Sequence, residues 1–230
     1  MVIGNGLIAQ FFKNDFSQSE KIILFASGVS DSQCEDQTQF KREEKLLNQY
    51  LNDIEKVHLF IYFSTISIYD PSRNLSLYVK HKLKMESLIL NYPKTKIFRI
   101  GQVASKSLGN NNNLLNFINN AMNENKKIEL WGNSYRSIID IRDVVNIIKH
   151  IITKSNIRSK IINISNPNLY SMIEIIKTFE KIKNHKAKYI LLNKGEVYRF
   201  NTGHIDSIIF DCKINFNEMY LEKVIRKYYW

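Results

Sequence analysis

The chain has 230 residues, 44% of them hydrophobic, enough for one sizeable core or a core plus a small lobe. Net charge is +11, from 33 basic and 22 acidic residues, and residues 146–200 carry eleven Lys/Arg against three Glu. No apolar run approaches the ~20 residues of a membrane span, and no block of about five or six basic residues or nucleic-acid motif marks a polynucleotide binder. "MVIGNGLIAQFFKND" lacks the basic start and cleavage site of a signal peptide. Cys34 and Cys212 have no C-x-x-C spacing, so buried reduced thiols and a cytoplasmic location are expected, with no metal site.

In chain order, "MVIGNGLIAQFF" reads as a very short strand, a glycine turn and a helix start. "KIILFASG" (21–28) is an apolar run ending in small residues, a buried-strand pattern. Residues 35–56 carry Phe40, Leu46, Leu47, Tyr50, Leu51 and Ile54 at the spacing of a helix packed on one face. A strand over 57–69, a helix over 77–92, a strand over 96–104 and a helix over 113–126 follow, after a polar loop at 109–113. Residues 127–154 read as a strand, a turn and a helix from about Ile141. A strand at 160–167, a helix at 171–183, a short strand at 188–193 and a closing helix at 217–230 complete the chain. This alternation predicts βαβ units and a mostly parallel sheet covered on both faces. Function then belongs at the carboxyl ends of the strands, near Gly4, Ala26, Thr65, Gly101 and Ser165.

"GNGLIA" places Gly4, Gly6 and Ala9 in a G-x-G-x-x-(G/A) pattern between a strand and an apolar helix. Gly4 permits a tight turn, Gly6 lets a pyrophosphate approach the backbone, and Ala9 lets the helix pack closely. The acidic residue expected about 20 positions on, to hold an adenosine ribose, is missing from "LFASGVS". A purely structural strand–helix turn is the alternative.

Tyr78 and Lys82 are four residues apart on a helix and so share a face. A phenol alone titrates near pKa ~10, but a nearby ammonium favours its ionised form. The pair is therefore a candidate proton donor and acceptor, with the Thr65 hydroxyl at the preceding strand end able to orient a substrate oxygen.

The segments "FSTISIY" (63–69), "YVKHK" (78–82), "FRIGQV" (98–103), "RSIIDIRDVV" (136–145) and "INISNP" (162–167) together resemble the extended short-chain dehydrogenase/reductase family, the NAD-dependent epimerase/dehydratase group acting on nucleotide sugars. The resemblance runs in order from Gly4 to about Glu174. It implies an α/β fold, a Rossmann-like parallel sheet with helices on both faces, plus a small carboxyl-terminal substrate lobe. The core would span 1–101 and 138–165, and the lobe 102–137 and 166–230. By the same resemblance Thr65, Tyr78 and Lys82 are the catalytic residues, and Lys82 also holds the nicotinamide ribose and depresses the tyrosine pKa. Gly4, Gly6, Leu7, Ile8, Ala26 and Ser27 would line the NAD or NADP cleft, and Gln102 and Arg136 would contact the nucleotide sugar. If "KIILFASG" is the family's fourth strand, the second and third strands are missing, and with them the part that normally holds adenosine.

The leading expectation is a sugar-nucleotide epimerase, reductase or dehydratase serving polysaccharide or lipopolysaccharide assembly. The alternatives are a shortened Rossmann scaffold that binds a nucleotide sugar or protein without redox chemistry, and a nucleic-acid-associated relative using the positive charge, which the absent motifs disfavour. A homodimer is a candidate assembly. Asp143 is expected to cap a helix, and Trp131 and Trp230 to pack in the core.

Overall fold

The computed structural model describes residues 1–106, 113–154 and 157–230. The strands are β1 (Val2–Ile3), β2 (Ile22–Phe25), β3 (Leu59–Thr65), β4 (Thr95–Ile100), β5 (Gln102–Ala104), β6 (Lys127–Trp131), β7 (Tyr135–Arg136), β8 (Ile138–Asp140), β9 (Ile161–Ile164), β10 (Tyr170–Ser171) and β11 (Lys188–Leu192). The helices are α1 (Leu7–Phe16), α2 (Gln37–Leu51), α3 (Leu77–Leu90), α4 (Leu114–Asn123), α5 (Ile141–Lys154), α6 (Met172–Lys183), α7 (Asp206–Asp211) and α8 (Tyr220–Tyr229).

The central sheet has the order β1-β2-β3-β4-β9, parallel throughout. Its central strand, β3, reads "LFIYFST" and is buried along nearly its whole length, as expected of a parallel strand covered on both faces. Phe12 and Phe16 of α1 and Val144, Ile148 and Ile151 of α5 pack on one face, against Leu24, Phe98 and Ile162. Leu47 of α2 and Met85 and Ile89 of α3 pack on the other, against Phe25, Tyr62 and Ile97. This is a Rossmann-like α/β fold. β1 is an edge strand among the described residues, paired only with β2, and α1 alone joins the two. The shortened form read from the sequence is thus present in the sheet.

A third apolar cluster joins Leu115, Ile118, Ile128, Ile176, Phe179, Leu221 and Ile225 from α4, β6, α6 and α8. The polar loop expected at 109–113 lies, up to residue 112, outside the described residues.

Several boundaries differ from the sequence reading for local reasons. The strand expected over 57–69 stops at Thr65, whose Oγ1 accepts from Ser67 N at 3.1 Å and opens a 3-10 turn over Ile66–Tyr69. The strand expected over 96–104 breaks at Gly101. A Cβ there would stand 1.9 Å from Ser165 Oγ, and β5 leaves the main sheet to pair with β8. α2 starts later than expected because Asp36 caps it, accepting from Thr38 N at 2.8 Å. Trp230 is 80% exposed rather than packed in the core, with Arg226 over its ring. At the start of α5 the side chain accepting a backbone amide is Asp140, from Arg142 N, and not Asp143, which accepts from Tyr220 Oη at 2.6 Å.

Candidate active site

Gly4 and Gly6 do different work at the carboxyl end of β1. Gly4 has φ +120°, and a Cβ on it would stand 2.4 Å from Ala26 O, so the close approach of the β1 and β2 ends requires glycine. Ala26 N donates to Ile3 O at 2.8 Å, fixing Ala26 and Ser27 beside the turn. Gly6 is the N-cap of α1, and nothing lies within 4 Å of where its Cβ would be. The first turn of α1 carries no acidic residue and its N-cap makes no side-chain cap, so the amide hydrogens of that turn are left to a ligand or solvent. Leu7 and Ile8 turn into the apolar layer beneath. This arrangement fits the pyrophosphate of a dinucleotide.

Thr65 at the end of β3 and Tyr78 in the first turn of α3 are brought together, as the sequence spacing suggested. Ser76 caps α3 by accepting from Val79 N at 3.2 Å, which aims Tyr78 back across the strand end. The Thr65 hydroxyl stands close enough to the Tyr78 phenol to favour its ionised form. Burial pushes that phenol well above the ordinary tyrosine range; Thr65 and Arg73 oppose the rise, and Glu43 and Asp31 add to it. The expected depression of the tyrosine is therefore not what this geometry produces.

Burial is the main reason, and Lys82 does not offset it. Its Nζ is 5.9 Å from the centre of the Tyr78 ring but 3.0 Å and 3.4 Å from the two carboxylate oxygens of Glu43, and 3.2 Å from Tyr62 Oη. Glu43 has no solvent exposure and also accepts from Tyr62 Oη at 2.6 Å and Val29 N at 2.7 Å, while His81 Nε2 lies 3.0 Å away. Burial alone would raise the Glu43 pKa, but Lys82, His81, Tyr62 and the Val29 amide together bring it down to about 2. Gly28 makes room for the pair, since a Cβ there would stand 2.5 Å from Lys82 Nζ. Glu43, Tyr62 and His81 were not among the residues singled out from the sequence. The signal was present: Glu43 falls between Phe40 and Leu47 on the buried face of α2.

Arg136 sits on β7, and its Nη1 donates to Tyr135 O at 2.7 Å and lies 3.5 Å from Asp70 Oδ2. Arg73 Nε lies 3.6 Å from the same oxygen, and its guanidinium stands 5.7 Å from the Trp131 ring centre. Burial lowers the Arg136 pKa, and the neighbouring Arg73 charge lowers it further. Gln102 opens β5, with its amide donating to Ser137 O at 2.9 Å. Behind this wall Ser64, Glu86, Arg99 and Tyr69 form one hydrogen-bonded chain: Ser64 Oγ donates to Glu86 at 2.6 Å, and Arg99 donates to Glu86 and to Tyr69 Oη.

A parallel sheet, open space at a helix N-terminus after the first strand and a Tyr–Lys helix at the end of β3 define a dinucleotide-fold protein. The family model for the NAD dependent epimerase/dehydratase family matches residues 6–165, and the chain belongs to that family. Solved structures similar to it include UDP-glucuronic acid 4-epimerase from Bacillus cereus in complex with UDP-glucuronic acid and NAD, at 20% identity and a TM-score of 0.72, covering 98% of this chain and 77% of that one. A dTDP-glucose 4,6-dehydratase from Bacillus anthracis in complex with NAD aligns at 13% identity and a TM-score of 0.68, covering 90% and 72%. UDP-N-acetylglucosamine 4-epimerase from Bacillus cereus aligns at 17% identity and a TM-score of 0.66, covering 97% of this chain and 96% of that one. At such identities the likeness is one of fold. No curated protein sequence matches the chain.

Proposed function

We propose that this chain is a nucleotide-sugar epimerase, dehydratase or reductase that uses Tyr78 as its proton-transfer group beside a bound NAD or NADP. The observation that carries the reading is the meeting of Thr65 and Tyr78 at the end of β3, two strands from the Gly4–Gly6 turn. The open space at Gly6 and the α1 amides would hold the pyrophosphate, with Leu7, Ile8, Ala26 and Ser27 as neighbours, and Lys82 would serve the nicotinamide ribose. The nicotinamide, when bound, supplies hydride transfer. Tyr78 holds the exchangeable proton, Thr65 orients the sugar oxygen that loses or gains it, and Arg136 with Gln102 faces the nucleotide-sugar side. The similar UDP-glucuronic acid 4-epimerase and dTDP-glucose 4,6-dehydratase, whose structures hold NAD and in the first case UDP-glucuronic acid, support the substrate class. Residues 102–137 and 166–230 would form the substrate lobe, and a cytoplasmic role in surface-polysaccharide assembly, as a homodimer, completes the reading. No helix among the described residues is long and apolar enough to cross a membrane.

A second reading is favoured by one observation, the end of the sheet at β1 among the described residues, where the family's adenosine-holding second and third strands would continue it. On that reading the fold binds a nucleotide sugar or a protein partner without nicotinamide chemistry. Calorimetric titration of the protein with NAD and NADP decides between them. The enzyme reading expects micromolar binding of one dinucleotide, and turnover that collapses in Tyr78→Phe; undiminished turnover in that variant rules out Tyr78 as the proton carrier.

A further inference from the structure

We propose that Glu43 is a positioning residue that governs the proton on Tyr78 by holding the charge of Lys82 away from it. The inference rests on the acid–base reading of Tyr78 and adds a control to it. Lys82 is 2% exposed, and its hydrogens go to Glu43 and to Tyr62 Oη, while its distance to the Tyr78 ring centre is 5.9 Å. An ammonium with a carboxylate at 3.0 Å presents little net field to a third group farther off, because the two charges nearly cancel there. Without Glu43, the same lysine would be an uncompensated buried cation beside the Tyr78 ring.

The surroundings are specific to this arrangement. α2 supplies Glu43 itself, with Phe40 stacked on His81 at 4.6 Å. α3 supplies Tyr78, His81 and Lys82, and β3 supplies Thr65 and Tyr62. The segment after β2 supplies the Val29 amide, and Arg73 and Asp31 add charges that reach Tyr78 from the loops. Glu86, farther along α3, acts on Tyr62. Among these groups Lys82 and Glu43 form the buried pair whose balance a single substitution changes. Tyr78 is thereby kept as a proton donor at rest. A ligand that drew Lys82 off Glu43, as ribose hydroxyls would, brings the lysine charge to bear on the phenol and readies it to accept a proton.

The test is an ionisation titration of Tyr78 in the ligand-free full chain labelled with [13Cζ]tyrosine. The Tyr78 resonance is assigned by its loss in Tyr78→Phe, and the range is about pH 7 to about pH 11, around the ordinary tyrosine value. In the unsubstituted protein Tyr78 is expected to stay protonated across the range. In Glu43→Gln it is expected to ionise within it, its proton affinity lowered a hundredfold or more. In Glu43→Gln/Lys82→Met the effect is expected to vanish, because it acts through Lys82. Glu43→Gln titrating like the unsubstituted protein, or the double variant keeping the shift, overturns the proposal. Should Glu43→Gln fail to fold, Glu43→Asp carries the test: the shorter carboxylate loosens its hold on Lys82, so Tyr78 is expected to ionise at lower pH than in the unsubstituted protein, and an unshifted titration there overturns the proposal. The titration contains no dinucleotide, so its failure is distinct from a failure of NAD binding, which calorimetry of the unsubstituted protein reads alone.

Discussion

Lys82 of α3 and Glu43 of α2 meet at 3.0 Å, both of them buried. The pair ties the two helices on one face of the sheet to β3 through Tyr62 and to the end of β2 through the Val29 amide. One carboxylate thus fixes the back wall of the cleft and sets the position of the lysine that the proposed chemistry requires.

The first consequence is an acid limb in stability. The Glu43 pKa falls from an ordinary 4.5 to about 2 on folding. A depressed carboxylate contributes stability that is full above its unfolded value and is lost as pH falls through the folded one. The contribution is on the order of 3 kcal/mol, and it disappears between about pH 4.5 and about pH 2. Urea unfolding midpoints measured across that window should drop in the natural chain and drop less steeply in a folded Glu43→Gln variant. Lys82→Met, which leaves the carboxylate buried without its cation, should cost about 3–5 kcal/mol at neutral pH.

The two glycines of the turn should separate folding from binding. Gly4→Ala forces a side chain into φ +120° and against Ala26 O, so the thermal midpoint should fall by several degrees. Gly6→Val places its side chain in open space from an extended backbone, so the midpoint should hold within a degree or two. Dinucleotide affinity by calorimetry should nonetheless be lost in Gly6→Val, because the valine fills the room left for the pyrophosphate. Equal loss of stability in both variants would count against this division.

The carboxyl-terminal helix should act as a clamp on α5. Tyr220 Oη accepts from Asp140 N at 2.9 Å and donates to Asp143, while Tyr228 and Lys227 both reach the Asp140 carboxylate. Tyr220→Phe should cost about 1–3 kcal/mol by urea unfolding. Burial already raises the Asp143 pKa above its unfolded value, and losing the phenol raises it further. A raised carboxyl disfavours the folded state once it ionises, so the penalty should grow as pH rises above about 4. A pH-independent difference between the two proteins would be inconsistent with Asp143 as the group left exposed to the loss.

The fold was legible in the alternation of apolar runs and helical stripes, because each parallel strand is buried on both faces and each helix on one. The Thr65–Tyr78 meeting was legible too, since a strand end and a capped helix start fix both residues locally. What sequence spacing could not show was where Lys82 points. Helical periodicity puts Tyr78 and Lys82 on one face, but the charge of Lys82 is claimed by a residue 39 positions away on α2. The β4–β5 break at Gly101 was hidden for a similar reason, because Ser165 on a distant segment forces it. Trp230 was misplaced because spacing alone does not show whether another segment covers an aromatic ring; it is largely exposed, with Arg226 over the ring.

The most direct measurement of the central claim is proton NMR of a nucleotide-sugar panel incubated with the protein and NAD or NADP, using UDP-glucose, UDP-N-acetylglucosamine, UDP-glucuronic acid and dTDP-glucose. The account predicts a new anomeric signal from an epimer, or the signals of a 4-keto sugar, with at least one substrate, and a rate at least 100-fold lower in Tyr78→Phe. A panel returned unchanged by a folded, dinucleotide-binding protein, or product formed equally fast without the Tyr78 hydroxyl, would contradict it.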